Sequence, residues 1–364
     1  MNETNEEIEV MLFNKVEFIL QVYGGLLIFA GIPANVICGI VMGTDKTNHF
    51  TTRLLMVLLA AADCVVLLTA LLRYWVIEAF KVDIRSINSL TCLLHTFLVA
   101  VSTDAAIATL CALAIERFIV VGFPYKSIRC VTMKNSIISI TMVYLILILK
   151  NSFNIWSMEI QSSNYTLNQQ NTIIKPKCIP KRHLLNYVRV FSKIDFITYS
   201  VLPYFILFST NMYIFIILRR QSRILKSHLN PKNTNNKNQR TVSRKKTNRG
   251  RQSQNIIKIL TALTVVHMIT SIPGTIFNII TQFFPENLKY ISYLKRRLIS
   301  DGLMMLMFTN NATNFLAYLI SSNSFRKRIL IVLPCCFQSH SETPINGQEM
   351  ITHPTNYQKI FNSK

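Results

Sequence analysis

The chain predicts an all-α membrane protein, a bundle of seven spanning helices followed by a short amphipathic eighth. Three observations carry that expectation. Seven apolar runs each come near or above the ~20 residues that a helix needs to cross hydrocarbon. Only 15% of the 364 residues are charged, against about 25% in soluble domains, while 50% are hydrophobic and the mean hydropathy is +0.32. The net charge of +22 sits in the segments between the runs rather than along a folded surface, so nucleic acid is not an expected partner.

The runs are Phe18–Gly43, Leu54–Ile77, Ser89–Gly122, Asn135–Ser157, Phe191–Leu218, Ile256–Phe283 and Leu298–Ser321. No fixed repeat joins them, so one domain is expected over residues 18–322. Residues 1–17 form an acidic leading segment without the basic start of a signal peptide. The loop of residues 219–254 holds twelve Lys and Arg and no acid, which predicts a cytoplasmic, disordered segment. An odd number of crossings then puts the amino terminus outside and the carboxyl terminus inside. Arg240-Thr241-Val242-Ser243-Arg244-Lys245 in that loop offers a kinase a hydroxyl among bases, or anionic lipid a basic stretch.

Smaller signals follow the same order. Asn2-Glu3-Thr4 and Asn164-Tyr165-Thr166 are glycosylation sequons on outer segments, whereas Asn311-Ala312-Thr313 lies within the seventh run, out of reach. Cys178 is the sole cysteine of the loop before the fifth run, and Cys92 starts the third on the same oxidising side. A bridge between them would tie that loop over the bundle mouth; two free thiols are the alternative. Cys38, Cys64 and Cys111 read as small buried hydrophobes. After the seventh run, residues 323–333 suit a helix lying in the membrane interface. Pro334 stops it, Cys335 and Cys336 could carry palmitoyl chains, and residues 334–364 read as a disordered tail.

Ionisable groups inside spans are costly and point to function. Asp63 has no charge near it in its own run, so it must meet polar partners from others, and Asn35, Asn310 and Asn314 are the candidates. Such a cluster would hold a sodium ion with water, or form a neutral network. Asp104 and Lys150 lie in facing parts of the third and fourth runs and are expected to pair. His95 and His267 stand without partners in metal-ligand register, and no paired carboxylates cross the membrane, so neither a metal site nor a catalytic site is expected.

At the inner end of the third run stands Glu116-Arg117-Phe118, in which the acid can hold the guanidinium until a partner competes for it. With Asn35, Leu59-Ala60-Ala61-Ala62-Asp63, Cys92 with Cys178, Pro203, Pro273, Asn314-Phe315-Leu316-Ala317-Tyr318 and Phe325-Arg326, the chain resembles a rhodopsin-like (class A) G-protein-coupled receptor. Arg117 follows Cys92 by twenty-five residues, as in that family. Several positions depart from the pattern, among them the fourth run, where Tyr144 is the nearest aromatic to a missing tryptophan, and Asn211, where the fifth often has a tyrosine. Ser271 replaces the sixth-run tryptophan, His267 a phenylalanine, and Phe315 the seventh-run proline, a divergence most like invertebrate neuropeptide receptors of the FMRFamide type.

The resemblance implies a bundle biased by an outside ligand, in which the sixth helix bends at Pro273 and a Gα helix enters beside Arg117, with Tyr318 and Pro203 part of the switch. Arrestin and receptor kinases follow as further partners, with lipid around the bundle. Val99 stands where amine receptors keep an aspartate, and no lysine in the seventh run can bind retinal, so the expected ligand is a neuropeptide. Arg73, Trp75, Glu78, Asp195, Ser271, Gln282 and Asp301 are its candidate contacts. Lys175, Lys177, Lys181, Arg182, Lys295, Arg296 and Arg297 make the outer surface basic, which favours acidic partners. The inner end of the sixth run offers Ser253 and Lys258 but no acid for Arg117, which predicts a weak lock and appreciable basal signalling. An orphan receptor with weak or constitutive coupling is the alternative, and a transporter the remote one.

Overall fold

Polar caps and breakers set where each helix starts and stops. The computed structural model describes residues 3–45, 49–168, 171–228, 261, 264–284, 291–321 and 325–331. The first span belongs to a 42-residue helix, Glu3–Thr44, that begins well before the expected Phe18. No Gly or Pro interrupts the stretch ahead of Phe18, and Glu7 and Glu9 in its first turns suit the positive end of a helix dipole.

The second span, Phe50–Phe80, ends at Lys81 in a left-handed conformation (φ 55°) and contains one wide turn at Leu67–Leu71. The third, Ser89–Gly122, starts at a reciprocal cap in which the Thr91 N–H donates to Asn88 Oδ1 (2.8 Å) and the Asn88 N–H to Thr91 Oγ1 (3.1 Å). A short helix, Pro124–Cys130, leads to the fourth span, Met133–Ser157, capped by Thr132.

The segment expected to be a polar loop is instead a hairpin. Strand β1, Met158–Asn168, pairs antiparallel with β2, Asn171–Pro180, and Cys178 is joined to Cys92 by a disulfide. The fifth span, Arg182–Arg220, has its own wide turn at Ile197–Val201, ahead of Pro203. Proline has no N–H to give the preceding turn, and a widened turn accommodates that loss.

The sixth span is Thr264–Phe283, the seventh Tyr293–Ser321, and residues 325–331 are helical beyond it. Among the described residues six helices are long and apolar enough to cross a membrane. The seventh is not among them, because Asn310, Asn311 and Asn314 dilute its apolar run.

The third span is the central post, packed on the second, fourth and fifth, while the first packs on the second and seventh. Close approach of first to seventh depends on Gly31, where a Cβ would lie 2.8 Å from that of Ala312. Phe29, Phe205, Leu149 and Ile320 remain exposed on the outside of the bundle, as lipid contact requires.

Candidate functional site

The two ends of the bundle differ in chemistry, and are called here the arginine end and the hairpin end. At the arginine end Glu116 and Arg117 are both buried. Arg117 Nε lies 3.4 Å from Glu116 Oε2, and the Thr52 hydroxyl donates to Glu116 Oε1 at 2.7 Å while accepting from Arg117 Nη2. Thr52, on the second span, thus ties acid and base together. Among the described residues, Arg117 Nε and the Tyr318 hydroxyl are both buried without a hydrogen-bond partner. Phe118 packs on Tyr213 (4.7 Å between centroids) and Phe123 (5.7 Å), and Tyr318 on Phe325 (5.7 Å). The Asn211 carboxamide oxygen accepts from Thr264 at 2.9 Å, linking the fifth and sixth spans nearby.

Midway along the bundle Asp63 is fully enclosed. Asn311 donates to its Oδ1 at 2.7 Å and Asn314 to its Oδ2 at 2.6 Å. Asn35 donates to the carbonyls of Asn311 (2.8 Å) and Gly31 (3.0 Å) rather than to Asp63. Asn310 leaves the predicted cluster and meets His267 Nδ1 on the sixth span. Asn310 and Asn311 flank Asn314 on opposite sides of one helix face, and the helix is turned so that Asn311 meets Asp63 while Asn310 meets the sixth span. Each Asp63 oxygen accepts one amide N–H, and among the described residues Asn35 Oδ1 is buried without a hydrogen-bond partner. Among the described residues no cluster of His, Cys, Asp and Glu could hold a metal.

A cavity of about 340 Å³ runs from the hairpin end down to this network. Of the sequence candidates Arg73, Val99 and Ser271 line it, as do Arg85, His95 and His267. Trp75, Asp195, Gln282 and Asp301 are not among the residues that line it. Trp75 turns to the first helix, donating to the Gln21 carbonyl (3.1 Å) against Phe29 and Phe80. Asp301 faces Arg297 at 3.6 Å, and Glu78 meets the same guanidinium at 2.9 Å, so that group joins the second and seventh helices.

At the cavity's upper end Arg73 grips Asp83 through two bonds, Nε to Oδ1 (2.9 Å) and Nη2 to Oδ2 (2.7 Å). Arg85 reaches the same carboxylate more loosely, at 3.4 Å, and adds its backbone N–H at 3.0 Å. Burial works to raise the Asp83 carboxyl, but the Arg73 and Arg85 bonds outweigh it and hold the group well below the usual carboxylate range.

The pairing expected between Asp104 and Lys150 is present at 2.7 Å, and it has a third member. Lys150 Nζ also lies 2.6 Å from Asp195 Oδ1 and 3.2 Å from the Thr198 hydroxyl, and Asn151 donates to Asp104 at 2.6 Å. Third, fourth and fifth spans are thereby clamped together. Thr52, Asn151, Asn311, Asp83 and Arg85 are participants that the sequence reading did not single out. The available signals were that Asn151 follows Lys150 directly and that Asn311 stands beside Asn310 and one turn before Asn314. Nothing local marked Thr52.

Asn164 lies on β1, while Asn2, Ser253, Lys258, Cys335 and Cys336 fall outside the described residues. The model of a family described as 7 transmembrane receptor (rhodopsin family) matches residues 34–319, from just before Asn35 to just past Tyr318. No curated protein matches the chain.

Proposed function

Because the chain belongs to the rhodopsin family of seven-transmembrane receptors, a family of signalling receptors rather than enzymes, we propose that it takes an extracellular neuropeptide and activates heterotrimeric G proteins. In this reading the hairpin end faces outside, the arginine end faces the cytoplasm, and the cavity receives part of the ligand. The observation that carries the proposal is the buried Glu116–Arg117–Thr52 lock at the opposite end of the bundle from the cavity.

The physical link between them runs through the sixth and seventh helices. A ligand touching Ser271 or His267 acts beside Pro273, where the sixth helix lacks one backbone hydrogen bond and bends at least cost. The His267–Asn310 contact ties that helix to the seventh, whose Asn314 holds Asp63 and whose Tyr318 lies near Arg117. Once the lock opens, Arg117 Nε and the Tyr318 hydroxyl are two unsatisfied groups able to meet each other or an incoming Gα helix. The arrangement is a two-state element that ligand and G protein bias from opposite ends. Arrestin and receptor kinases would then act on the basic loop and tail, with palmitoyl chains at Cys335 and Cys336 holding the helix after the seventh span to the bilayer.

Guanine-nucleotide exchange on a panel of Gα subunits tests this, in membranes containing the receptor with and without pooled neuropeptides. Exchange should rise with at least one pool and fall to background in Arg117→Ala. A response that survives Arg117→Ala would refute the lock as the coupling site. High exchange without any ligand favours the constitutive alternative.

A further inference from the structure

The cavity's upper wall holds more positive charge than its neighbours neutralise. Arg73 and Arg85 both line it, and among the described residues the single carboxylate that both reach is Asp83. Asp83 spends its two oxygens on the close, two-pronged bond to Arg73, leaving Arg85 at 3.4 Å. Among the described residues Arg85 Nε is buried with no hydrogen-bond partner, and His95 lines the same wall. Buried guanidinium N–H groups without acceptors are costly, and a bound anion is the group that best satisfies them. Asp63, at the far end of the cavity, is already held by Asn311 and Asn314.

Below this polar wall the lining changes character. Val99, Ala106, Ile107, Leu110, Met304 and Phe308 make the belly apolar. At about 340 Å³ the space is at the small end of ligand cavities, which run to about 1,000 Å³.

We propose that the group entering the cavity is a carboxylate carried on a small apolar body, with Arg85 as its principal contact and Arg73 and His95 beside it. The inference rests on the cavity being the ligand site of the receptor, and it narrows the ligand's chemistry. A peptide ending in an amide leaves Arg85 uncompensated, and a basic peptide end is repelled. The carboxylate comes either from a small organic acid or from a peptide's free C-terminus.

Binding can be read without any G protein, from the melting temperature of the purified full-length receptor in detergent. The probes are matched pairs: hexanoate, 3-phenylpropionate and 4-phenylbutyrate with their primary amides, and the tripeptide Ala-Leu-Phe as free acid and as amide. At least one acid should raise the melting temperature, and its amide should need about tenfold or more concentration for the same rise. Arg85→Gln should weaken the acid by about ten- to hundredfold while leaving the amide unchanged. If Arg85→Gln fails to fold, Arg85→Lys, which keeps the charge but not the fork, should bind the acid with intermediate strength. A shift from the small acids assigns the source to an organic acid, and a shift from the tripeptide acid alone assigns it to a peptide terminus. Amides that bind as well as acids overturn the proposal, as does a cooperatively melting receptor that no acid stabilises. Acid binding with no nucleotide exchange would leave this inference standing and count against G-protein coupling instead.

Discussion

Thr52 shows how much of the switch hangs on one hydroxyl. It is fully buried, donates to Glu116 and accepts from Arg117, so it is the only group that touches both partners of the lock among the described residues. Thr52→Val keeps the shape and deletes the bridge, leaving Glu116 Oε1 without its donor in the locked state at a cost of about 1 to 3 kcal/mol. Ligand-free nucleotide exchange should therefore rise about tenfold, with Thr52→Ser close to the parent. Unchanged exchange in the valine variant would remove Thr52 from the lock. Asp83 gives a second expectation, in pH. Its carboxyl is held low in the folded protein, so its stabilising contribution is complete above the unfolded value of about 3.9 and is lost only as pH falls through the depressed folded value. The destabilisation caused by Asp83→Asn, followed as melting temperature, should be constant from pH 8 to 5 and shrink only in stronger acid. A penalty that already fades between pH 7 and 6 would contradict the two-pronged grip of Arg73. At this scale the sequence exposed the ionisable centres, Asp63, Arg117 and Asp104, because charge inside an apolar run is conspicuous. It hid their polar partners: Thr52 is one threonine among many, and the choice of Asn311 over Asn310 turns on a helical rotation.

Elements carry the next level of constraint, since helices here meet through small residues and ion pairs rather than through water-driven packing alone. The Asp104–Lys150–Asp195 triad joins three spans, and its members are unequally shielded: the Asp104 side chain is 5% exposed and that of Asp195 is 38% exposed. Removing the cation should hurt most. Lys150→Met strands a buried carboxylate, an effect of about 3 to 5 kcal/mol in buried pairs, whereas Asp195→Asn acts where solvent screens the charge. Surface expression should fall sharply in Lys150→Met, slightly in Asp195→Asn, and recover in Lys150→Met combined with Asp104→Asn. Failure of that combination to recover would mean that Lys150 serves something other than Asp104. Close packing makes an independent prediction at Gly31, where a new methyl would lie 2.8 Å from the Ala312 Cβ and 2.9 Å from Leu67 Cδ1. Gly31→Ala should lower stability by about 1 to 3 kcal/mol, and Ala312→Gly should relieve part of it. Melting curves of the single and double variants decide the point, and additive losses would refute the contact. The seven spans were legible because each needs an apolar run, and helix ends were less so: Glu3 rather than Phe18 starts the first helix because polar residues can continue a helix beyond the bilayer. The wide turns at Leu67–Leu71 and Ile197–Val201 leave no local pattern, although Pro203 gave a reason to expect strain nearby. The hairpin was missed because its polar stretch carries little strand-like alternation, and the Cys92–Cys178 bond holds it in place.

The whole molecule is a problem of sidedness. The hairpin, the disulfide and the Arg73–Asp83–Arg85 group share one end of the bundle, and Arg117 and Tyr318 share the other. Basic residues occur at both ends, but the run of twelve in residues 219–254 has no acid to offset it. That concentration of Lys and Arg is what translocation reads, and it is the basis on which the arginine end is proposed to face the cytoplasm. Glycosylation tests the assignment, because Asn164 on β1 shares the hairpin end with the disulfide and Asn2 precedes the first helix, whereas Asn311 is held inside the bundle against Asp63. The receptor made in eukaryotic cells should shift in mobility on endoglycosidase treatment, and the shift should vanish in the Asn2→Gln, Asn164→Gln double variant. Thr313→Ala, which destroys the third sequon without touching Asn311, should leave the shift unchanged. A shift lost in Thr313→Ala would require the middle of the seventh helix to have faced the lumen, and the bundle could not then be threaded as described. A shift absent from the parent but created by a sequon engineered into the basic loop would invert the whole receptor, and the cavity and the arginine lock would exchange sides with it.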